Sequence, residues 1–188
     1  MLKRVGLLLA ILSLTGCVGA VFTGADLAYD RYKIAKRLDN HALEIEARQL
    51  ITTYSKGYTH SNIKAERYAG VLLLYGQTPY PALEKHVVTG IRKIPNIGKV
   101  VNHITRGKPL SFSQNTADLW IHGKIELLFL RAKEIDPDPI KTIVENRTVF
   151  LLGNVTPQQA NAAIYLSRRV DGVKRVVKLF HLINLVEN

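Results

Sequence analysis

The 188-residue chain has one cysteine, one methionine and one tryptophan, and only 15 acidic residues against 26 Lys and Arg. A lone thiol excludes disulfides and cysteine-based zinc clusters. The six histidines, at 41, 60, 86, 103, 122 and 181, include no pair at metal-ligand spacing and suggest no serine–histidine–carboxylate set. His103 and His181 read as strand-face residues rather than as a paired metal site. Neither Gly-x-Gly-x-x-Gly nor a Walker pattern occurs. No metal, no cofactor and no enzymatic activity are therefore expected. Also missing is a clean membrane-spanning run of about 20 apolar residues. The longest apolar stretch, Val5 to Phe22, is broken by Gly6, Ser13, Thr15, Gly16 and Gly19.

What that stretch does contain is an ordered export signal. Lys3 and Arg4 supply the positive start, Val5 to Leu14 the apolar segment, and Thr15 and Gly16 the small approach to a cleavage point. Leu14-Thr15-Gly16-Cys17 resembles the lipobox of bacterial lipoproteins. The resemblance implies a signal peptide over 1–16, and Cys17 diacylated on its thiol and acylated on its new amine. Acyl chains bury roughly 0.8 kcal/mol per methylene, so several of them hold durably. Val18, where an aspartate would retain the protein at the inner membrane, implies passage to the outer one. The competing reading is an uncleaved transmembrane helix from Val5 to Phe22. The formal charge of +11 predicts attraction to polyanions. For an exported protein those are anionic phospholipids and lipopolysaccharide rather than nucleic acid, although charge also serves solubility.

The region after the signal repeats itself at a spacing of about 76 residues. Val71-Leu-Leu-Leu-Tyr-Gly76, Pro81 and Ile97-Gly-Lys-Val-Val101 in the first copy match Thr148-Val-Phe-Leu-Leu-Gly153, Pro157 and Val173-Lys-Arg-Val-Val177 in the second. The apolar runs read as buried strands closed by Gly76 and Gly153. Pro81 and Pro157 stand where a helix tolerates a missing N–H, with Thr156 as an N-cap. Leu83, Val87, Val88 and Ile91, and Ala160, Ala163, Ile164 and Ser167, form helical stripes. Turns at Pro95-Asn96 and Asp171-Gly172 lead into closing strands, Lys99 to Ile104 and Lys174 to Ile183. Earlier helices are predicted over Asn40 to Thr53 and Thr116 to Ala132, with first strands near Thr59 to Lys64 and Ile140 to Val144. The fold class is α+β: two tandem αββαβ domains, each a three-stranded mixed sheet packed on two helices. The predicted organisation is a tether over 17–39, with a short helix around Tyr29 to Leu38, a first domain over 40–109, a linker over 110–115 and a second domain over 116–188. Each copy is near the lower size limit for an independent core, so the two are expected to pack together.

An apolar strand, a glycine, an alanine-rich helix and then Asp171-Gly-Val-Lys-Arg-Val-Val177 resemble the BON domain. Two copies behind a lipobox resemble the dual BON-domain outer-membrane lipoproteins, the DolP family. Gly70-Val-Leu-Leu-Leu-Tyr-Gly-Gln77, Arg106-Gly-Lys-Pro109 and Asp118-Leu-Trp-Ile-His-Gly-Lys-Ile125 carry the similarity over nearly the whole mature chain. The resemblance implies a non-enzymatic protein, facing the periplasm, that binds anionic phospholipid through its second domain and supports envelope integrity and outer-membrane assembly. It places the family's lipid-binding tryptophan at Trp120.

Trp120 stands out independently of any family. It shares a helix with Ile121, Lys124, Ile125, Leu128, Phe129 and Leu130, too much apolar surface for one small sheet to cover. A tryptophan suits a bilayer interface. The candidate lipid-contact set is Trp120, Ile121, Lys124, Leu128, Leu130 and Arg131, with Lys133 beside it; the alternative is that Trp120 plugs the seam between the domains. The expected partner is an anionic membrane, with outer-membrane assembly machinery as a further partner. The competing functions are a periplasmic chaperone or osmotic-stress-protective factor that holds clients on exposed apolar surface, and a surface adhesin or secretion accessory.

Overall fold

Glycine at the centre of a strand and proline at the head of a helix set the shape of each half of this molecule. The computed structural model describes residues 41–184. The signal segment, Cys17 and the tether lie outside the described residues. A first helix, α1 (41–55), leads into β1 (Asn62–Tyr68) and β2 (Val71–Thr78). Then come α2 (Pro81–Ile91) and β3 (Lys99–Arg106). The second half repeats the order: α3 (Phe112–Arg131), β4 (Ile140–Glu145), β5 (Thr148–Val155), α4 (Pro157–Arg168) and β6 (Arg175–Leu182). Each half is the expected αββαβ unit. In both, the middle strand pairs antiparallel with the first strand and parallel with the third.

Local chemistry explains the turns. Ala69 and Gly70 have φ of 50° and 77°, and Asn146 and Arg147 have 48° and 59°. Positive φ at both central residues is the type I′ arrangement that matches the twist of a two-residue hairpin. Pro157 opens α4 behind Thr156, whose hydroxyl accepts from Gln159 N while the Gln159 side chain returns to the Thr156 amide. Pro81 likewise opens α2, but Tyr80 before it supplies no side-chain cap.

Three expectations differ from the structure. Gly76 and Gly153 do not end their strands, which continue to Thr78 and Val155. A Cβ on Gly76 would collide with the Asn62 carbonyl oxygen, and one on Gly153 with that of Pro139. The glycines, at φ of 108° and 154°, let the neighbouring backbone cross close to the central strand. The 110–115 segment is not a free linker either. Ser111 caps α3 through a capping box with Gln114, so the helix begins at Phe112. The first strand of the first copy lies at Asn62–Tyr68, displaced toward the hairpin from the expected Thr59 to Lys64.

Strand alternation distributes side chains among three cores. Leu72 and Leu74 join Ala47, Leu83, Val87 and Ile91 under the helices of the first half. Val149 and Leu151 join Ile121, Ile125, Phe129 and Ala163 in the second. The opposite faces of the two sheets meet each other through Val71, Leu73, Ile143, Phe150 and Leu152. Polar groups border this seam. Glu145 is buried and accepts from Lys64 Nζ at 3.0 Å and Gln77 Nε2 at 2.7 Å, and Lys141 Nζ lies 3.0 Å from Glu66. The Tyr68 hydroxyl donates to the Asp138 carbonyl at 3.1 Å. Burial, helped by the Glu66 and Glu145 carboxylates, pushes the Tyr75 phenol up to about 12.

His103 places its ring edge-on to Phe150, 4.9 Å between centroids. Burial there, and then repulsion from Arg175, holds its pKa below the ordinary histidine value. The unfolded chain therefore binds this proton more readily than the folded one. The stabilising contribution is present above about pH 6.5 and is lost as pH falls through the lowered folded value. Urea unfolding from pH 7 to 5 should show a stability difference between wild type and His103→Gln that narrows in acid. An unstrained Gly→Ala exchange stabilises by roughly 0.4–1 kcal/mol, but Gly153→Ala should destabilise by more than about 1 kcal/mol, because backbone rather than a side chain must yield; a urea melt measures it.

Candidate functional site: the outward face of α3

Helix α3 is apolar on two opposite sides. Ile121, Ile125 and Phe129 are buried in the second core. Facing away are Phe112, Leu119, Trp120, Leu127 and Leu130, with exposures of 89, 72, 49, 46 and 70%. Their spacings from Phe112, i+7, i+8, i+15 and i+18, keep them on one stripe. Scattered exposed leucines are ordinary, but an aligned row with phenylalanine and tryptophan is an interaction surface.

The roll of the helix is fixed by a buried carboxylate. Asp118, 5% exposed, accepts the backbone N–H groups of Asn146 at 2.6 Å and Arg147 at 2.8 Å. One side chain thus satisfies two donors of the left-handed β4–β5 turn. In the first half Glu44 takes the comparable position on α1, accepting the Arg67 amide at 2.9 Å. With Asp118 held against the hairpin, Leu119 and Trp120 have to point outward.

Charge flanks the stripe asymmetrically. Lys124 Nζ stands 3.9 Å from the centre of the Trp120 ring, a cation–π contact one turn along the helix. Arg131 closes the last turn on the same side, where a cation also suits the helix dipole. On the other side His122 Nε2 and Glu126 Oε1 are 3.9 Å apart.

The structure divides the residues expected from sequence. Trp120, Lys124, Leu130 and Arg131 are exposed together on α3. Ile121 is corrected: at 1% exposure it is a core residue, turned inward by the same rotation that turns Trp120 out. Leu128 is half-buried and packs on the second core. Trp120 does not plug the seam, which the sheets fill with Phe150 and its neighbours. Sequence reasoning omitted Phe112, Leu119 and Leu127. Their signal was the second stripe opposite the core stripe, recognisable once the helix is started at Phe112. Among the described residues no helix is long and apolar enough to cross a membrane, and no group of three or more His, Cys, Asp or Glu is placed to hold a metal.

The BON domain family matches residues 117–184, the second half. The outer membrane lipoprotein DolP of Haemophilus influenzae is 31% identical over 184 residues, covering 95% of both chains. This chain belongs to the DolP family of BON-domain outer-membrane lipoproteins. A second relative, the 21 kDa hemolysin of Actinobacillus pleuropneumoniae, is 27% identical over 147 residues, 78% of this chain and 76% of that one. Among solved structures, the C-terminal domain of CdsD, a structural protein of the type III secretion system of Chlamydia trachomatis, covers 72% of this chain and 96% of that one. Its 8% identity and TM-score of 0.32 are too low to carry an argument.

The two sides of α3 should separate in unfolding experiments. Leu119→Ser and Leu130→Ser should leave stability within about 0.5 kcal/mol of wild type, as surface changes do. Ile125→Ala should cost about 2–5 kcal/mol. Urea denaturation compares the three.

Proposed function

We propose that this protein is anchored by Cys17 at the periplasmic side of the outer membrane and that its second BON domain lays the outward face of α3 on anionic phospholipid, supporting envelope integrity and outer-membrane assembly. The observation that carries this reading is the exposed row Phe112, Leu119, Trp120, Leu127 and Leu130, on a helix whose other side is already committed to the core. An amphipathic helix lies in the interfacial plane with its apolar stripe in the acyl boundary and its cations among head groups. The indole suits that boundary, being part apolar and part hydrogen-bonding. Lys124 and Arg131 add attraction of roughly 1 kcal/mol each near an anionic surface. Acyl chains at Cys17 would keep the face close to its target, so α3 need not bind tightly alone. Phospholipid and assembly partners are binding partners in this reading, and no reaction is performed.

The face also fits the second reading, a chaperone that holds unfolded clients, because an exposed apolar row does not choose its ligand by itself. Co-sedimentation separates the two. A chain beginning at Val18 should bind vesicles containing phosphatidylglycerol or cardiolipin, more weakly at high salt. Trp120→Ala should reduce binding about tenfold, the expected loss for removing one interfacial anchor. Equal binding to neutral phosphatidylcholine vesicles would overturn the lipid reading, and suppression of client aggregation without vesicle binding would establish the other.

A further inference from the structure

The strongest unassigned feature is a cationic corner of the second domain, separate from the α3 face. The Arg147 carbonyl in the β4–β5 turn accepts the Lys174 amide at 2.8 Å, which brings the turn against the start of β6. Arg175 follows as the first residue of that strand, opposite Thr148. Arg168 ends α4. Arg168, Val173, Lys174, Arg175 and Val176 line a hollow of about 340 Å³, and the turn bond to Lys174 sets Arg147 next to that lining. Arg147, Arg168, Lys174 and Arg175 are all exposed. Among the described residues none of these four cations makes an ion pair with a carboxylate. Asp171 is the one acid between Arg168 and Arg175.

The internal repeat supplies a comparison within the same chain. In the first copy the corresponding corner carries Gly70 in the hairpin turn and Gly98 before the closing strand. A Cβ on Gly98 would collide with the Gly70 carbonyl oxygen, so position 98 has no room for a side chain. Arg67 spans the corner instead, donating to the Ile97 carbonyl at 3.3 Å and that of Asn96 at 3.4 Å. In the second copy Arg147 and Lys174 stand where the first has these two glycines, and they join Arg168 and Arg175, the counterparts of Arg92 and Lys99. Like charges placed together repel and oppose the compact state. Their surplus fits a ligand that supplies the missing negative charge.

We propose that the corner formed by Arg147, Arg168, Lys174 and Arg175 is a phosphate-binding site. Guanidinium groups match two phosphate oxygens at once, and the lysine adds a point charge. Val173 and Val176 complete the lining of the hollow. The site does not depend on α3 touching lipid, because none of its residues lies on that helix.

The test is an amide chemical-shift titration of the mature chain, Cys17 to Asn188 with Cys17→Ser, using sn-glycerol 3-phosphate, inorganic phosphate and sodium chloride matched for ionic strength. Expected are saturable shifts at Val173 to Val176 with a phosphate ligand and not with chloride. The double variant R168Q/R175Q should weaken binding at least about tenfold, the usual consequence of losing charge-assisted hydrogen bonds. The matching first-copy pair, R92Q/K99Q, removes equal charge and should retain binding, as should Trp120→Ala. Tighter binding of glycerol phosphate assigns the site to a lipid head group, and equal or tighter binding of inorganic phosphate assigns it to the free ion; both support it. Non-saturable shifts, shifts reproduced by chloride, or binding that survives R168Q/R175Q would overturn it.

Discussion

Burial of the two central strands on both of their faces is the constraint on which the rest depends. Leu72 and Leu74 of β2 pack under helices while Val71 and Leu73 pack against the other sheet, and β5 divides Val149 and Leu151 from Phe150 and Leu152 in the same way. A three-stranded sheet with helices on one side leaves its other side bare. Two such sheets cover each other and produce four layers, helix, sheet, sheet, helix. The shared seam stabilises modules that are near the lower size limit for independent folding. Its edge holds Glu145, whose carboxylate is satisfied from the first domain by Lys64 and Gln77, so the seam is specified by hydrogen bonds as well as by apolar area.

Once the sheets occupy each other, the helices have only their outer sides left for partners, and α3 uses its outer side differently from α4. The α4 helix, short and alanine-rich, turns Ala160 and Ala163 inward and exposes a single large ring, Tyr165. The α3 helix spends Ile121, Ile125 and Phe129 inward and still has Phe112, Leu119, Trp120, Leu127 and Leu130 outside. Asp118 decides which set is which. By holding the left-handed Asn146–Arg147 turn it fixes the rotation of α3 and connects the candidate membrane face to the hairpin beside the cationic corner.

Much of the scaffold was legible because it rests on short-range chemistry. Thr156 before Pro157, followed by Gln159, signals a capped helix start without reference to the remainder of the chain. The copies of Val71 to Gly76 and Thr148 to Gly153 announce a duplicated strand. Some patterns mislead because a distant segment acts on them. Gly76 and Gly153 looked like strand ends, but the backbone of Asn62 and of Pro139 passes beside them and the strands run on. Ile121 looked like a neighbour of Trp120 on one surface, although adjacent helical residues differ by about 100° in direction.

The sequence by itself determined the duplication, the αββαβ order and the starts of α2 and α4, since each follows from periodicity, capping and backbone preference among near neighbours. Only the tertiary structure decided that the sheets face each other, that Trp120 is outside while Ile121 is inside, and that Arg147 joins Arg168, Lys174 and Arg175 at one corner. Those outcomes depend on how two complete domains bury their surfaces together, and a periodic pattern gives the faces of an element without giving the partner of either.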